Sequence, residues 1–273
     1  MEKLIKGLRK FQTSYFCSHQ ELFGQLAQGQ SPRVLFITCS DSRVDPNLIV
    51  NAEVGELFVI RNAGNMIPPY GATNGGEGAA LEYALQALNI QQIIVCGHSN
   101  CGAMKGLLKL NELEEKMPLV YEWLKQGEAT RRLIKENYST VEGDELLDIT
   151  TAENVLTQIE NLRTYPIVHS RIRQAKLSLH AWVYHINTGS VYAYDPVRHA
   201  YTAPSSPLEA LDPEALLSDR AQLSSLEPIP EHYKPKAAAC PMPSESSRSP
   251  NNGSSAGTWL SAEQAERIYR GSC

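Results

Sequence analysis

Val34-Leu35-Phe36-Ile37-Thr38-Cys39-Ser40-Asp41-Ser42-Arg43 and Ile93-Ile94-Val95-Cys96-Gly97-His98-Ser99-Asn100-Cys101 decide how this chain is read. Each opens as a short apolar run of the length and composition of a buried strand. Each ends in side chains able to hold a metal: Cys39 closes the first run, and His98 and Cys101 follow the second. In an open parallel sheet, ligands bind outside the carboxyl ends of the strands, which is where both groups fall. Two thiolates and one imidazole suit zinc, and three protein ligands leave the fourth tetrahedral position open. Water in that position is a nucleophile near neutral pH. Either half alone is a weak signal, because a Cys at a strand end is commonly a small buried hydrophobe. Their joint placement points to metal-assisted chemistry on a small electrophile.

Asp41 and Arg43 sit two and four residues after Cys39. A carboxylate so placed is either a further metal ligand or an acceptor for the proton of the bound water. A guanidinium can pair with it bidentately and keep it charged. An acceptor-only group beside the water selects hydroxide over other fourth ligands, since hydroxide still has a proton to donate.

Around these two segments, strand and helix alternate. A helical period runs over residues 3–27 through Leu4, Leu8, Phe11, Tyr15, Leu22 and Leu26. Strands are expected at 33–38, 57–60 and 92–96, and helices at 76–88, 118–125, 129–137 and 148–162. The alternation over 177–185 reads as a half-buried strand, returned by Asn187-Thr188-Gly189-Ser190 into Val191–Tyr194. The fold class is therefore α/β, a mainly parallel β-sheet flanked by helices, with an N-terminal helical arm. A catalytic domain is expected over 1–205 and a C-terminal extension over 206–273. The stretch Ala203–Gly257 is rich in Pro and Ser and reads as a linker. After it, Trp259, Leu260, Ile268 and Tyr269 can form one apolar face, either docking a partner or packing on their own domain.

Composition narrows the possibilities. The chain has 273 residues, 42% hydrophobic and 20% charged, with a formal charge of −5. That charge argues against nucleic acid, because nothing would offset phosphate repulsion. No apolar run has membrane-spanning length, and the first residues lack a signal-peptide core, so a cytoplasmic location is expected. The six cysteines (17, 39, 96, 101, 240 and 273) lack the spacing of a disulfide scaffold. Cys17 and Cys96 are expected to be packing residues. His169, His180, His185 and His199 receive no role.

The pattern Cys39-x-Asp41-x-Arg43 followed by His98-x-x-Cys101 resembles the β-class carbonic anhydrases, over about residues 1–200. The similarity is to the plant-type branch, and the long tail resembles carboxysomal members from cyanobacteria. It implies one Zn²⁺ per chain and reversible hydration of CO₂ to bicarbonate. It also implies an obligate dimer, often assembled further, with sites shared across the dimer interface. By the same resemblance Gln30 would donate its amide N–H to the developing bicarbonate. Phe58, Ala63 and Tyr83 would line an apolar slot, Ala63 replacing the branch's Val. The extension would bind a carboxysome scaffold or shell protein. Two other readings share the motif: a hydrolase of another linear heteroallene such as carbon disulfide, and a zinc-stabilised scaffold with an idle site. A structural zinc normally has four protein ligands, so the Asp41–Arg43 pair beside three argues against the scaffold.

Overall fold

The computed structural model describes residues 1–72 and 75–204. The expected linker, the terminal apolar element and Cys240 and Cys273 lie outside the described residues. Among the described residues, Met1–Gly24 form one unit and those from Gln25 onward another.

The first unit is the arm. Helix α1 (Glu2–Lys10) leads into a π-helical segment, Phe11–Phe16, and then into α2 (Gln20–Leu26). The uninterrupted helix expected over 3–27 is thus broken in register. The Thr13 and Ser18 hydroxyls donate to the carbonyls of Arg9 and Ser14, at 2.9 and 3.0 Å. Such local bonds compete with the regular helical ladder. Phe11, Tyr15, Phe16 and Phe23 form one aromatic cluster, with Phe16 and Phe23 centroids 5.0 Å apart. Leu4 and Leu8 on the same arm are more than half exposed. Cys17, expected as a packing residue, is disulfide-bonded.

The second unit is built on a six-stranded sheet, counted among the described residues, in the order β2-β1-β3-β4-β5-β6. Its strands are β1 (Val34–Cys39), β2 (Leu57–Asn62), β3 (Gln92–His98), β4 (Ser178–His185), β5 (Ser190–Asp195) and β6 (Ala200–Thr202), with α3 (Pro46–Ile49) between β1 and β2 in sequence and α7 (Glu128–Asn137) between β3 and β4. The first four run parallel, and β5 and β6 are antiparallel additions. Period-2 side-chain alternation divides the two faces. Leu35, Ile37, Ile60, Ile93, Val95, Ala181 and Val183 pack beneath α4 (Gly76–Gln86), α8 (Gly143–Arg163) and α9 (Pro166–Arg173). Phe36, Ile94 and Cys96 face the other way, where Phe36 meets Trp182 edge-on. A third cluster closes the carboxyl ends of β1 and β3. It holds Cys39, Met66, Cys101, Met104, Leu107, Leu124 and Leu147, drawn in part from α5 (Gly102–Leu108) and α6 (Pro118–Leu124).

Gly97 shows why α8 can lie so close to β3. A Cβ there would fall 2.8 Å from Val155 Cγ2 and 3.0 Å from Thr151 Cγ2. The strand therefore carries glycine immediately before His98, and the imidazole is held in a fully buried position. Among the described residues, no helix is long and apolar enough to cross a membrane.

Candidate metal centre

Cys39 is the last residue of β1 and His98 the last of β3. Asn100 follows in the left-handed region at φ 55°, which Asn tolerates better than most residues. That turn brings Cys101 back to the N-cap of α5. The Ser99 N–H donates to the Tyr184 carbonyl at 2.9 Å, and Ser99 Oγ accepts from the Ile186 N–H at 3.0 Å, so the loop is tied to β4.

The ligand atoms of Cys39, His98 and Cys101 all lie within 4.8 Å of one another. A tetrahedral zinc with Zn–S near 2.3 Å and Zn–N near 2.0 Å spaces its ligands about 3.5–3.8 Å apart, so little contraction is needed. The imidazole is set for the task. Its Nδ1–H donates to the Ser99 carbonyl at 2.9 Å, which leaves the lone pair on Nε2. That Nε2 is buried and has no hydrogen-bond partner. A buried unpaired acceptor costs free energy unless something occupies it, and a cation among two thiols is what its position fits.

The Cys39 thiol is pushed down chiefly by the neighbouring Cys101, with the Gly64 N–H assisting and burial opposing. Cys101 retains the proton and is pushed up by Cys39 and by burial. A metal ion would take the proton's place and hold both as thiolates. Cys96, free and wholly buried on the Phe36 face of β3, is pushed up to about 12 by burial and stays a packing residue.

Asp41 and Arg43 meet as expected. Arg43 Nε donates to Asp41 Oδ1 at 2.9 Å and its terminal NH₂ to Oδ2 at 2.7 Å. The Arg43 side chain holds the Asp41 carboxyl well below the usual carboxylate range. Oδ2 stands 3.8 Å from His98 Nε2, beside the position a metal would fill. Arg43 also donates to the Asn100 carbonyl at 3.3 Å, which links the two ligand-bearing loops.

Several further groups converge here that the sequence reading did not single out. Arg61 on β2 donates to the carbonyls of Cys39, Asp41 and Val44, at 3.2, 2.7 and 2.8 Å. Its guanidinium thereby staples the loop that carries Asp41. Gly64, at φ 84°, donates its N–H to Cys39 Sγ at 3.4 Å. A Cβ at Gly64 would meet Met104 Cε at 3.0 Å and Ala103 Cβ at 3.1 Å, so only glycine fits. Side chains of α8 secure the same loop. Asn154 Nδ2 donates to the Gly64 carbonyl at 3.0 Å, and Gln158 Oε1 accepts from the Ile67 N–H at 2.8 Å. Polar residues at 150, 151, 154 and 158 on the core side of a helix were the readable signal for this network.

The expected pocket residues do not gather around these ligands within one chain. Phe58 pairs with Leu35, four residues before Cys39, which at strand rise is about 13 Å away. Tyr83 lies on α4, 49% exposed, its ring 6.1 Å from that of Phe58. Gln30 is exposed and precedes the amino end of β1. Ala63 alone adjoins the centre, one residue before Gly64.

The carbonic anhydrase family model matches residues 34–191. A carbonic anhydrase of Synechocystis sp. is 58% identical over 279 residues, covering 100% of both chains. One of Synechococcus elongatus is 54% identical over 279 residues, covering 99% of each. The solved structure of the β-carbonic anhydrase CcaA superposes with a TM-score of 0.74 at 67% identity, covering 75% of this chain and 99% of that one. A tetrameric β-carbonic anhydrase of Sordaria macrospora superposes at 0.64 with 25% identity, covering 74% and 98%. Sheet, ligand geometry and kinship agree: the chain belongs to the carbonic anhydrases, in their β class.

Proposed function

We propose that this carbonic anhydrase holds one zinc ion per chain on Cys39, His98 and Cys101. The observation that carries the reading is the unpartnered, buried Nε2 of His98 between two thiols. When bound, zinc supplies the Lewis acidity that turns water into a nucleophile for CO₂ near neutral pH. Its charge is formally cancelled by two thiolates, so the acidification is weaker than with three imidazoles, and activity rises on the alkaline side of neutral.

The chain's residues supply the rest. Asp41, charged because Arg43 holds it, accepts a hydrogen bond at Oδ2 and cannot donate one there. Arg43 and Arg61 fix the loop so that this oxygen stays beside Nε2 of His98. Gln30, Phe58 and Tyr83 form the slot for an uncharged linear substrate from a second copy of the chain, since their own copy's ligands lie a strand length away. Ala63 contributes from the same chain. The working unit is thus a homodimer or a multiple of dimers. The exposed apolar arm offers it a second contact.

The location is the finer part of the proposal. The match to a cyanobacterial relative extends over the whole chain, including the residues after 204. We read that extension as the element that places the enzyme in a carboxysome, through a scaffold or shell protein, where CO₂ is consumed. CO₂ hydration by purified protein, with metal content measured on the same sample, tests the catalytic part. Truncation after Pro204 tests the location: it should spare zinc and hydration and abolish association with carboxysomes in cells.

A further inference from the structure

One peptide unit touches both a metal ligand and a distant helix. The N–H of Gly64 donates to Cys39 Sγ at 3.4 Å. The carbonyl of that same peptide belongs to Ala63, and it accepts from the indole Nε1–H of Trp123 at 2.8 Å. Trp123 sits on α6, 60 residues away in sequence, and is half-buried against the cluster that surrounds the thiols.

We infer that Trp123 is a positioning residue that sets the donor strength of the Cys39 sulfur through the Ala63–Gly64 peptide. A hydrogen bond to an amide oxygen polarises the amide, and its N–H becomes a stronger donor. That N–H draws electron density from the thiolate. The carbonyl and N–H of a trans peptide point in opposite directions, so indole and sulfur occupy the two ends of one polarised unit. The unit is held in place. Asn62 accepts from the Met66 N–H and donates to the Met66 carbonyl, both at 2.8 Å, and Asn154 anchors the next carbonyl. Trp123 is therefore left to act on the sulfur's electronics and on the aim of the N–H. Outer partners of metal ligands tune affinity and acidity in this way.

The inference rests on Cys39 being a metal ligand. Its test is the cobalt(II)-loaded full-length chain with Trp123 replaced in two ways. Trp123→Phe removes the donor and some bulk. Benzothienylalanine at 123 removes only the N–H and keeps the indole's shape. Tyr121→Phe on the same helix is the control. Both Trp123 changes should move the thiolate-to-cobalt charge-transfer band to lower energy, because the freed thiolate is more electron-rich. Both should weaken metal binding in chelator competition by roughly tenfold, the lower end for outer-shell partners. A band unmoved in a benzothienylalanine protein with parental circular dichroism overturns the role of the N–H. A shift seen only with Phe also overturns it, since bulk would then be the cause. A parent protein without any thiolate band instead overturns the ligand set, and this inference with it.

Discussion

Asp41 Oδ2 lies 2.7 Å from an Arg43 nitrogen and 3.8 Å from the unpartnered Nε2 of His98. One carboxylate oxygen thus faces both the cation that keeps it charged and the place where a metal-activated water would stand. Asp41→Ala should retain zinc while lowering turnover on the order of 10²-fold, the scale of a lost acid–base contact. Stopped-flow hydration rates normalised to zinc content check this. Release of zinc with unchanged rates in the loaded remainder would make Asp41 a ligand instead.

Arg43 should set the acid limit of that carboxylate. Its side chain depresses the Asp41 value below that of an unpaired carboxyl. The stabilisation from the pair is therefore present above the ordinary carboxylate value and disappears as pH falls through the depressed one. Arg43→Gln should raise the Asp41 titration toward the ordinary range and lower turnover. Carbon-13 NMR of labelled aspartate, compared with the parent protein, reads the shift directly.

Gly64 should not tolerate a side chain. Gly64→Ala places a residue at φ 84° with carbons 3.0 and 3.1 Å from its Cβ. The backbone cost alone is about 1–2 kcal/mol, and crowding against α5 adds to it. Thermal unfolding should show a lower Tm, and zinc occupancy should fall because the hydrogen bond from the Gly64 N–H to Cys39 Sγ is displaced.

Asn154 should matter for stability more than an exposed polar residue would. Asn154→Leu leaves the Gly64 carbonyl and Gln158 Nε2 without their present partners. Each orphaned buried group costs about 1–3 kcal/mol. Urea unfolding would show a fall of the midpoint, and an unchanged midpoint would mean that water replaces both bonds.

The strands that carry the ligands were legible because apolar runs of strand length ended in Cys, His and Cys. They form as Val34–Cys39 and Gln92–His98, with the ligands as terminal residues. The Asp41–Arg43 pair was legible because both partners lie on one loop. Arg61, Trp123 and Asn154 were not, because each acts on a backbone carbonyl across 20, 60 or 90 residues. Such contacts leave no local pattern. The short helix α9 and strand β6 were also missed. Pro166 at the first turn marked the helix, whereas a three-residue edge strand has too little alternation to see.

The arm and the register of Phe58 make the enzyme's assembly a quantitative question. Deleting residues 1–24 should weaken the dimer or its higher assembly while leaving the ligand loops intact. Sedimentation over a dilution series, paired with hydration assays, would show activity falling with the oligomer. A fully active monomer would refute the shared pocket.

Zinc stoichiometry and CO₂ hydration, measured together on the parent chain and on Cys101→Ala, bear most directly on the central claim. The expected result is one zinc per parent chain, with metal and turnover lost together in the variant. A metal-free Cys101→Ala protein that hydrates CO₂ at the parental rate would contradict it.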